Sequence, residues 1–412
     1  MRFHICKTFQ WIFACLIVGI FAGLSSALFI FVLNLATNFR VHNSSIIWFL
    51  PIAGLLVGWI YQRFGKLASK GNNLIIEEIQ NTTYPIPLRI APLIIVGTTL
   101  THLFGGSAGR EGSIVQMTTA LADQASKFFK INPEERKILL MSAAGAGFGS
   151  AVGAPIAGMI FGMEVAYIGK LHLNSWPQCL IASFTGYYVG LLLKTPHLHY
   201  PVLIIPDWTF KIFLYVIMAG VLFGLAALIF SRFTYLIDSL FKKTIKIPYL
   251  IPMIGGLILV TLFYVEGSYR YAGLGLEFIN DSFGSIVTFR DPLLKTFFTS
   301  LTVGSGFKGG EFVPLVFIGA TLGSALGIII PISFSFLAAL GFSAVFAGAA
   351  NTPLACAFMA AEIFGWKIFF YALITCYTSY YFSGHAGIYR SQTIVNRKHY
   401  RLKKILLYFS KK

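Results

Sequence analysis

Gly105-Gly106-Ser107-Ala108-Gly109-Arg110-Glu111-Gly112, running on into Ser113-Ile114-Val115-Gln116-Met117, occurs a second time in altered form as Gly304-Ser305-Gly306-Phe307-Lys308-Gly309-Gly310, running on into Glu311-Phe312-Val313-Pro314-Leu315. Each copy is a glycine-rich turn with a basic residue and a carboxylate, followed by an apolar helical run. Glycine lets the backbone turn sharply and leaves its N–H groups uncovered. A helix that starts at such a turn directs its unpaired N–H groups and positive dipole end into the gap. That arrangement binds an anion without a full positive charge. Close helix packing through glycine is the other reading of the same residues; duplication beside a carboxylate favours the anion site.

Working outward, Gly106–Gly112 laid over Gly304–Gly310 sets an offset of 198 residues, and the same register pairs Thr98 with Thr296, Thr101 with Thr299, Leu103 with Leu301 and Val115 with Val313. It also pairs Phe148 with Phe346, Ala151 with Ala349, Pro155 with Pro353, Ala157 with Ala355 and Glu164 with Glu362. Two separated windows in one register predict an internally repeated chain: residues 11–200 and 201–395 as two membrane repeats, 1–10 as a cytoplasmic segment and 396–412 as a basic cytoplasmic tail. Repeated transporters place their substrate site at the repeat interface near the bilayer midplane. Sequence leaves open whether the repeats are parallel or inverted.

Composition places the repeats in lipid. Of 412 residues, 56% are hydrophobic and 11% charged, against about 25% charged in soluble domains. Trp11–Leu35 runs without a charge, long enough for a hydrocarbon core of about 30 Å and too long for a signal-peptide core. Later charge-poor stretches are short or broken by the 40 Gly and 16 Pro. Such breaks occur at membrane depth where backbone is buried in protein or lines a cavity, so broken and re-entrant helices are expected.

The net charge of +17 gathers in short connections: Arg63, Lys66 and Lys70; Lys127, Lys130, Arg136 and Lys137; Arg232, Lys242, Lys243 and Lys246; and seven more from Arg397 to Lys412. That is the positive-inside signature rather than a nucleic-acid surface, and it sets both termini in the cytoplasm of a multi-pass inner-membrane protein. The five cysteines have no metal spacing and read as small core hydrophobes. No metal or cofactor is implied. An intramembrane enzyme would need a nucleophile–base pair or metal constellation; the sequence has no His-Glu-x-x-His and no Gly-x-Ser-x-Gly.

Glu111 is the residue of greatest interest. A carboxylate at membrane depth costs at least ~2.5 kcal/mol on insertion scales and marks function. It can occupy the anion site itself and vacate it on protonation, which couples anion to proton. Arg110 is its neighbour, but adjacent helical residues do not face each other. His102 reads as packing or capping rather than as a relay.

At these residues the chain resembles the CLC family of chloride channels and anion/proton antiporters. Gly109-Arg110-Glu111-Gly112 is similar to the family's gating-glutamate motif, and Gly309-Gly310-Glu311-Phe312-Val313-Pro314 to its second anion-binding loop. Gly153–Glu164 is similar to the helix after the first half-site, and Gly387-Ile388-Tyr389 matches the place of its inner-gate tyrosine. The resemblance spans about residues 10–395. It implies an all-α membrane fold of two inverted-topology repeats, a homodimer with one pathway per subunit, Glu111 as protonatable gate, and Asn72, Asn73, Gly109, Arg110, Gly112, Gly310, Glu311, Phe312, Val313 and Tyr389 around the anion. The 23 residues after Tyr389 are too few for a regulatory domain.

Four departures point to a branch. Gly71-Asn72-Asn73-Leu74 replaces the central-serine loop of chloride members; Gly112-Ser113 follows Glu111 in place of glycine and proline; Glu311 replaces an apolar residue; and Val165 stands where chloride/proton antiporters carry a proton-relay glutamate. Together these resemble the bacterial fluoride/proton antiporters. Fluoride is strongly hydrated, and asparagine amides supply replacement donors. Gly-Asn-Asn also encodes an ordinary turn, and Glu311 also suits a helix N-terminus as a charge partner. A chloride/proton antiporter or passive chloride channel of the same fold is the alternative.

Overall fold

The computed structural model describes residues 2–129, 131–197, 200 and 204–399. Among them are sixteen α-helices, and they fall into two successions of eight. The first runs α1 (Arg2–His42), α2 (Leu50–Phe64), α3 (Asn72–Gln80), α4 (Ile90–Leu103), α5 (Glu111–Phe128), α6 (Pro133–Val152), α7 (Pro155–Glu164) and α8 (Trp176–Leu192). The second runs α9 (Phe210–Thr244), α10 (Leu250–Glu266), α11 (Leu276–Gly284), α12 (Arg290–Gly304), α13 (Phe312–Leu326), α14 (Phe334–Ala350), α15 (Pro353–Phe364) and α16 (Phe369–Phe382). Each half thus opens on one very long helix and follows it with short ones. Phe9–His42, Ser44–Phe64 and Phe210–Thr244 are long and apolar enough to cross a membrane. The charge-free stretch from Trp11 lies within the first of these. The same helix includes residues 2–10.

Local chemistry explains the breaks. Asn132 and Glu135 form a capping box, with Glu135 N donating to Asn132 Oδ1 at 2.9 Å and Asn132 N to Glu135 Oε2 at 3.3 Å, and Pro133 takes the first helical position of α6. Gly153 ends α6 in the left-handed conformation (φ 82°), and Asn351 ends α14 the same way (φ 59°). Each is followed by Thr or Ala and then by Pro155 or Pro353, which opens the next helix. Small residues let helices meet closely. A Cβ on Gly319 of α13 would lie 2.0 Å from the carbonyl oxygen of Gly341 in α14.

The two halves run in opposite directions. Glu164, at the C-terminal end of α7, accepts from Leu354 N (3.2 Å) and Ala355 N (3.0 Å) at the start of α15. Glu362, near the end of α15, accepts from Ile156 N (2.9 Å) and Ala157 N (2.8 Å) at the start of α7. The head of each helix meets the tail of the other, so α7 and α15 lie antiparallel and the repeats are inverted. Each carboxylate satisfies two N–H groups that a helix start leaves unpaired.

The C-terminal segment folds back across the first repeat. Strand β1 (Tyr167–Ile168) pairs in parallel with β2 (Thr393–Ile394). Lys398 is buried, its Nζ donating to Ser383 Oγ at 3.0 Å. The expected basic tail therefore begins packed; residues 400–412 lie outside the described residues.

Candidate functional site

The two glycine-rich turns meet face to face. Gly109 N donates to Gly310 O (2.6 Å) and Gly310 N to Gly109 O (2.7 Å), an isolated antiparallel bridge. Ser107 N donates to Thr302 Oγ1 (3.1 Å), and Lys308 N to Thr101 Oγ1 (3.2 Å). Inside each turn, Gly106 N donates to Thr101 O and Phe307 N to Thr302 O. Every bond has its partner 201 residues on. This corrects the register expected for the first window: the offset there is 201, and 198 holds only from Phe148/Phe346 onward. The counterpart of Glu111 is Phe312, that of Arg110 is Glu311, and that of Gly105 (φ 89°) is Gly306 (φ 88°). A glycine-rich string matches itself at several shifts, so identity alone chose the wrong one.

Three helix starts converge here. Gly310 packs on the first turn of α5: a Cβ on it would lie 2.9 Å from Gly112 N and 3.4 Å from both Arg110 N and Glu111 N. From the start of α3, the Asn72 side chain reaches across, and a Cβ on Gly112 would lie 2.8 Å from Asn72 Nδ2. Asn72 Oδ1 is buried without a protein partner. The positive dipole ends of helix starts, the seam glycines and the Asn72 amide thus lie close together.

Glu111 is the first residue of α5 and is 3% exposed. Its carboxylate turns back onto the helix start, with Oε2 accepting from Arg110 N at 3.2 Å and Oε1 from Arg110 Nε at 3.3 Å. The helical geometry that would separate the two side chains does not apply. Arg110 is the N-cap, with φ −123° and ψ −28°, so the pair forms after all. A carboxylate oxygen thus takes a backbone N–H at the head of α5. His102 is buried below the turn, its ring nitrogens 2.9 Å from Thr98 O and 3.0 Å from Ala108 O, while Arg40 Nη1 donates to His102 O at 2.7 Å. These contacts hold the turn in shape.

Two cavities approach the junction from opposite sides. The larger, of about 630 Å³, is lined by Asn72, Asn73, Ser113, Lys308, Glu311 and Tyr389, and nearer its mouth by Lys66, Lys70, Lys242 and Arg390. The smaller, of about 20 Å³, is lined by Arg110, Glu111, Tyr200, Phe312 and Val313. Consecutive residues of one helix start, Glu311 and Phe312, therefore face different cavities. Phe312 stands edge-on to Phe148 (5.3 Å) and Phe346 (4.7 Å), and Phe148 stacks on Phe161 at 4.2 Å. This aromatic group packs beside the junction.

The expected anion-binding residues thus divide. Asn72, Asn73, Glu311 and Tyr389 belong to the larger cavity, and Arg110, Phe312 and Val313 to the smaller with Glu111. Gly109, Gly112 and Gly310 form the seam. Asn73 has a second task, because its Oδ1 accepts from Ser391 N at 3.0 Å and ties down the segment behind Tyr389. Val165 is buried, and its carbonyl accepts from Gln392 Nε2 at 2.8 Å. Three residues not singled out from sequence line these cavities. Lys308 has its Nζ 4.4 Å from the centre of the Tyr61 ring, Tyr235 donates its hydroxyl to Gly387 O, and Tyr200 borders Glu111. The lysine was legible as the basic residue of its turn; the tyrosines carry no local motif.

Fold and site together define an integral membrane protein of inverted repeats with helix starts meeting at its centre, and the chain belongs to the voltage gated chloride channel family, whose profile matches residues 53–384. Among its relatives, the chloride/fluoride channel protein of Pseudomonas syringae pv. tomato is 42% identical over 399 residues, covering 95% of this chain and 88% of that one. The H(+)/Cl(−) exchange transporter ClcA of Vibrio cholerae is 28% identical over 382 residues, covering 84% and 80%. The crystal structure of a CLC-type fluoride/proton antiporter superposes with a TM-score of 0.90 at 33% identity, covering 94% of this chain and 98% of that one.

Proposed function

We propose that this protein exchanges fluoride for protons across the membrane, with Glu111 as the group that links the two. The observation that carries the reading is the seat of the Glu111 carboxylate on the backbone N–H of Arg110 at the head of α5. Anion and carboxylate compete for one place. Protonation removes the charge that holds the side chain to Arg110 and to the positive helix end, and the side chain leaves. An anion arriving from the larger cavity then takes the uncovered N–H groups. Asn72 Nδ2, beside Gly112, offers an amide donor at the same point, as a strongly hydrated anion needs on losing water. Glu311 in the larger cavity makes no hydrogen bond to the described residues and is the second carboxylate through which protons reach the site. The Pseudomonas relative and the solved antiporter, both named for fluoride, agree with this assignment.

The basic residues at the mouth of the larger cavity favour the cytoplasm for that face by the positive-inside rule. With it go both termini, in the inner membrane. We further infer two repeats divided near residue 200, a homodimer in the lipid bilayer with one pathway per protomer, and a transporter rather than an enzyme. Chloride exchange remains the second reading, favoured by the Vibrio relative, which is named for chloride. One experiment separates the two. Liposomes loaded with fluoride or chloride are followed with an ion electrode and a pH electrode together. Fluoride release much faster than chloride, with protons moving the opposite way, is expected; equal or faster chloride release contradicts the fluoride assignment.

A further inference from the structure

The segments that follow the last helix of each repeat return to the junction from opposite faces. After α16 the chain lies on the C-terminal end of α14. Ile388 N donates to Ala349 O at 2.8 Å, Asn351 Nδ2 donates to Gln392 Oε1 at 2.8 Å, and Tyr389 borders the larger cavity. After α8 the chain lies on the C-terminal end of α6. His197 Nε2 is 3.0 Å from Ser150 O, and the His197 ring covers Gly153, the counterpart of Asn351. Tyr200 then borders the smaller cavity. The ring of Tyr200 is held by Phe283, Phe342 and Phe364, with centroids 5.2, 5.2 and 5.3 Å away. Its hydroxyl oxygen is buried and has no protein partner. A buried phenol normally finds one. The polar residues lining that cavity are Tyr200, Arg110 and Glu111, and its volume of about 20 Å³ has room for about one water molecule.

We propose that Tyr200 is the outer counterpart of Tyr389, a positioning residue whose hydroxyl donates a hydrogen bond to the Glu111 carboxyl once that group has left the head of α5. This rests on the reading of Glu111 as the exchanging group. The proton that neutralises Glu111 comes from water on the outer face and adds to a carboxylate oxygen. Tyr200 keeps its own proton and fixes where the carboxyl waits. The orphaned hydroxyl is then explained: its partner is present in the other half of the cycle.

The test is Tyr200→Phe in liposomes, with fluoride-driven proton uptake measured while pH is varied separately on each face, and thermal unfolding measured alongside. The variant keeps the ring and removes a hydroxyl that makes no bond in this structure, so unfolding is expected unchanged. Coupled exchange is expected to fall about fivefold, the size of one hydrogen bond between neutral groups of about 1 kcal/mol, with altered dependence on outer pH and unaltered dependence on inner pH. Wild-type exchange, or a loss that is independent of which face is titrated, overturns the proposal. Glu111→Gln run in parallel separates the two levels: retained proton coupling there defeats the reading of Glu111, whereas lost coupling there with normal Tyr200→Phe defeats the role of Tyr200 alone.

Discussion

At the head of α5 the pair Arg110–Glu111 fills the backbone positions that Glu311–Phe312 fill at the head of α13. The turns around them match bond for bond, so the fold supplies two equivalent cradles of unpaired N–H groups. Their chemistry differs. The first is closed by its own carboxylate and guanidinium, while the second has its carboxylate one position earlier, facing the larger cavity, and a phenylalanine at the position of Glu111. Glu164 and Glu362, by contrast, occupy equivalent positions and make equivalent bonds. The halves stay alike where they hold each other together and diverge where an anion would pass.

The largest effect expected from disturbing that divide is at the seam. Gly310→Ala puts a methyl group 2.9 Å from Gly112 N; overpacking costs about 1–3 kcal/mol, or roughly tenfold to a hundredfold in flux. Gly284→Ala, with nothing within 4 Å, serves as the control and should transport normally. Equal flux from both would show that the turns need not meet closely. Next comes Glu311→Ile. If its carboxylate were only a helix-end partner, worth about 0.3–1 kcal/mol, flux would barely change; fluoride flux at matched expression should instead drop by more than about tenfold.

A smaller change is expected at the asparagines, and the structure separates them. Asn72→Ser should narrow the preference for fluoride over chloride by several-fold, about 1 kcal/mol for one donor. Asn73→Gly, which frees Ser391, should lower thermal stability first. Unchanged selectivity in both variants returns the pair to a turn-forming role. Smallest in transport terms are Glu164→Gln and Glu362→Gln. Each weakens one reciprocal cap by about 1 kcal/mol, so both should lose similar stability in chemical denaturation and keep proton coupling. Lost coupling in Glu164→Gln alone would place that residue on the proton route and break the symmetry argument.

Much of this was legible from the chain. Paired Gly and Thr around residues 98–112 and 296–313 announced the repeat, and Pro155/Pro353 with Glu164/Glu362 gave its second window in true register. In the first window sequence identity lies three residues out of structural register, because glycine-rich turns carry little positional information. The Arg110–Glu111 contact is not legible in sequence, because only the N-cap dihedrals of Arg110 allow the pairing. The caps made by Glu164 and Glu362 join residues about 190 to 206 apart, which no local pattern encodes. Asn73 and Tyr200 owe their settings to the C-terminal segment and the inter-repeat connection, whose return paths depend on tertiary packing.

The central claim is that one carboxylate, present in the first cradle and replaced by Phe312 in the second, links anion to proton. The direct measurement is fluoride-driven pH change in liposomes holding wild type or Glu111→Gln at matched protein density. Wild type should take up protons against their gradient as fluoride leaves, and Glu111→Gln should take up none, whether its fluoride flux stops or persists as a leak. Robust proton uptake by Glu111→Gln would contradict the account.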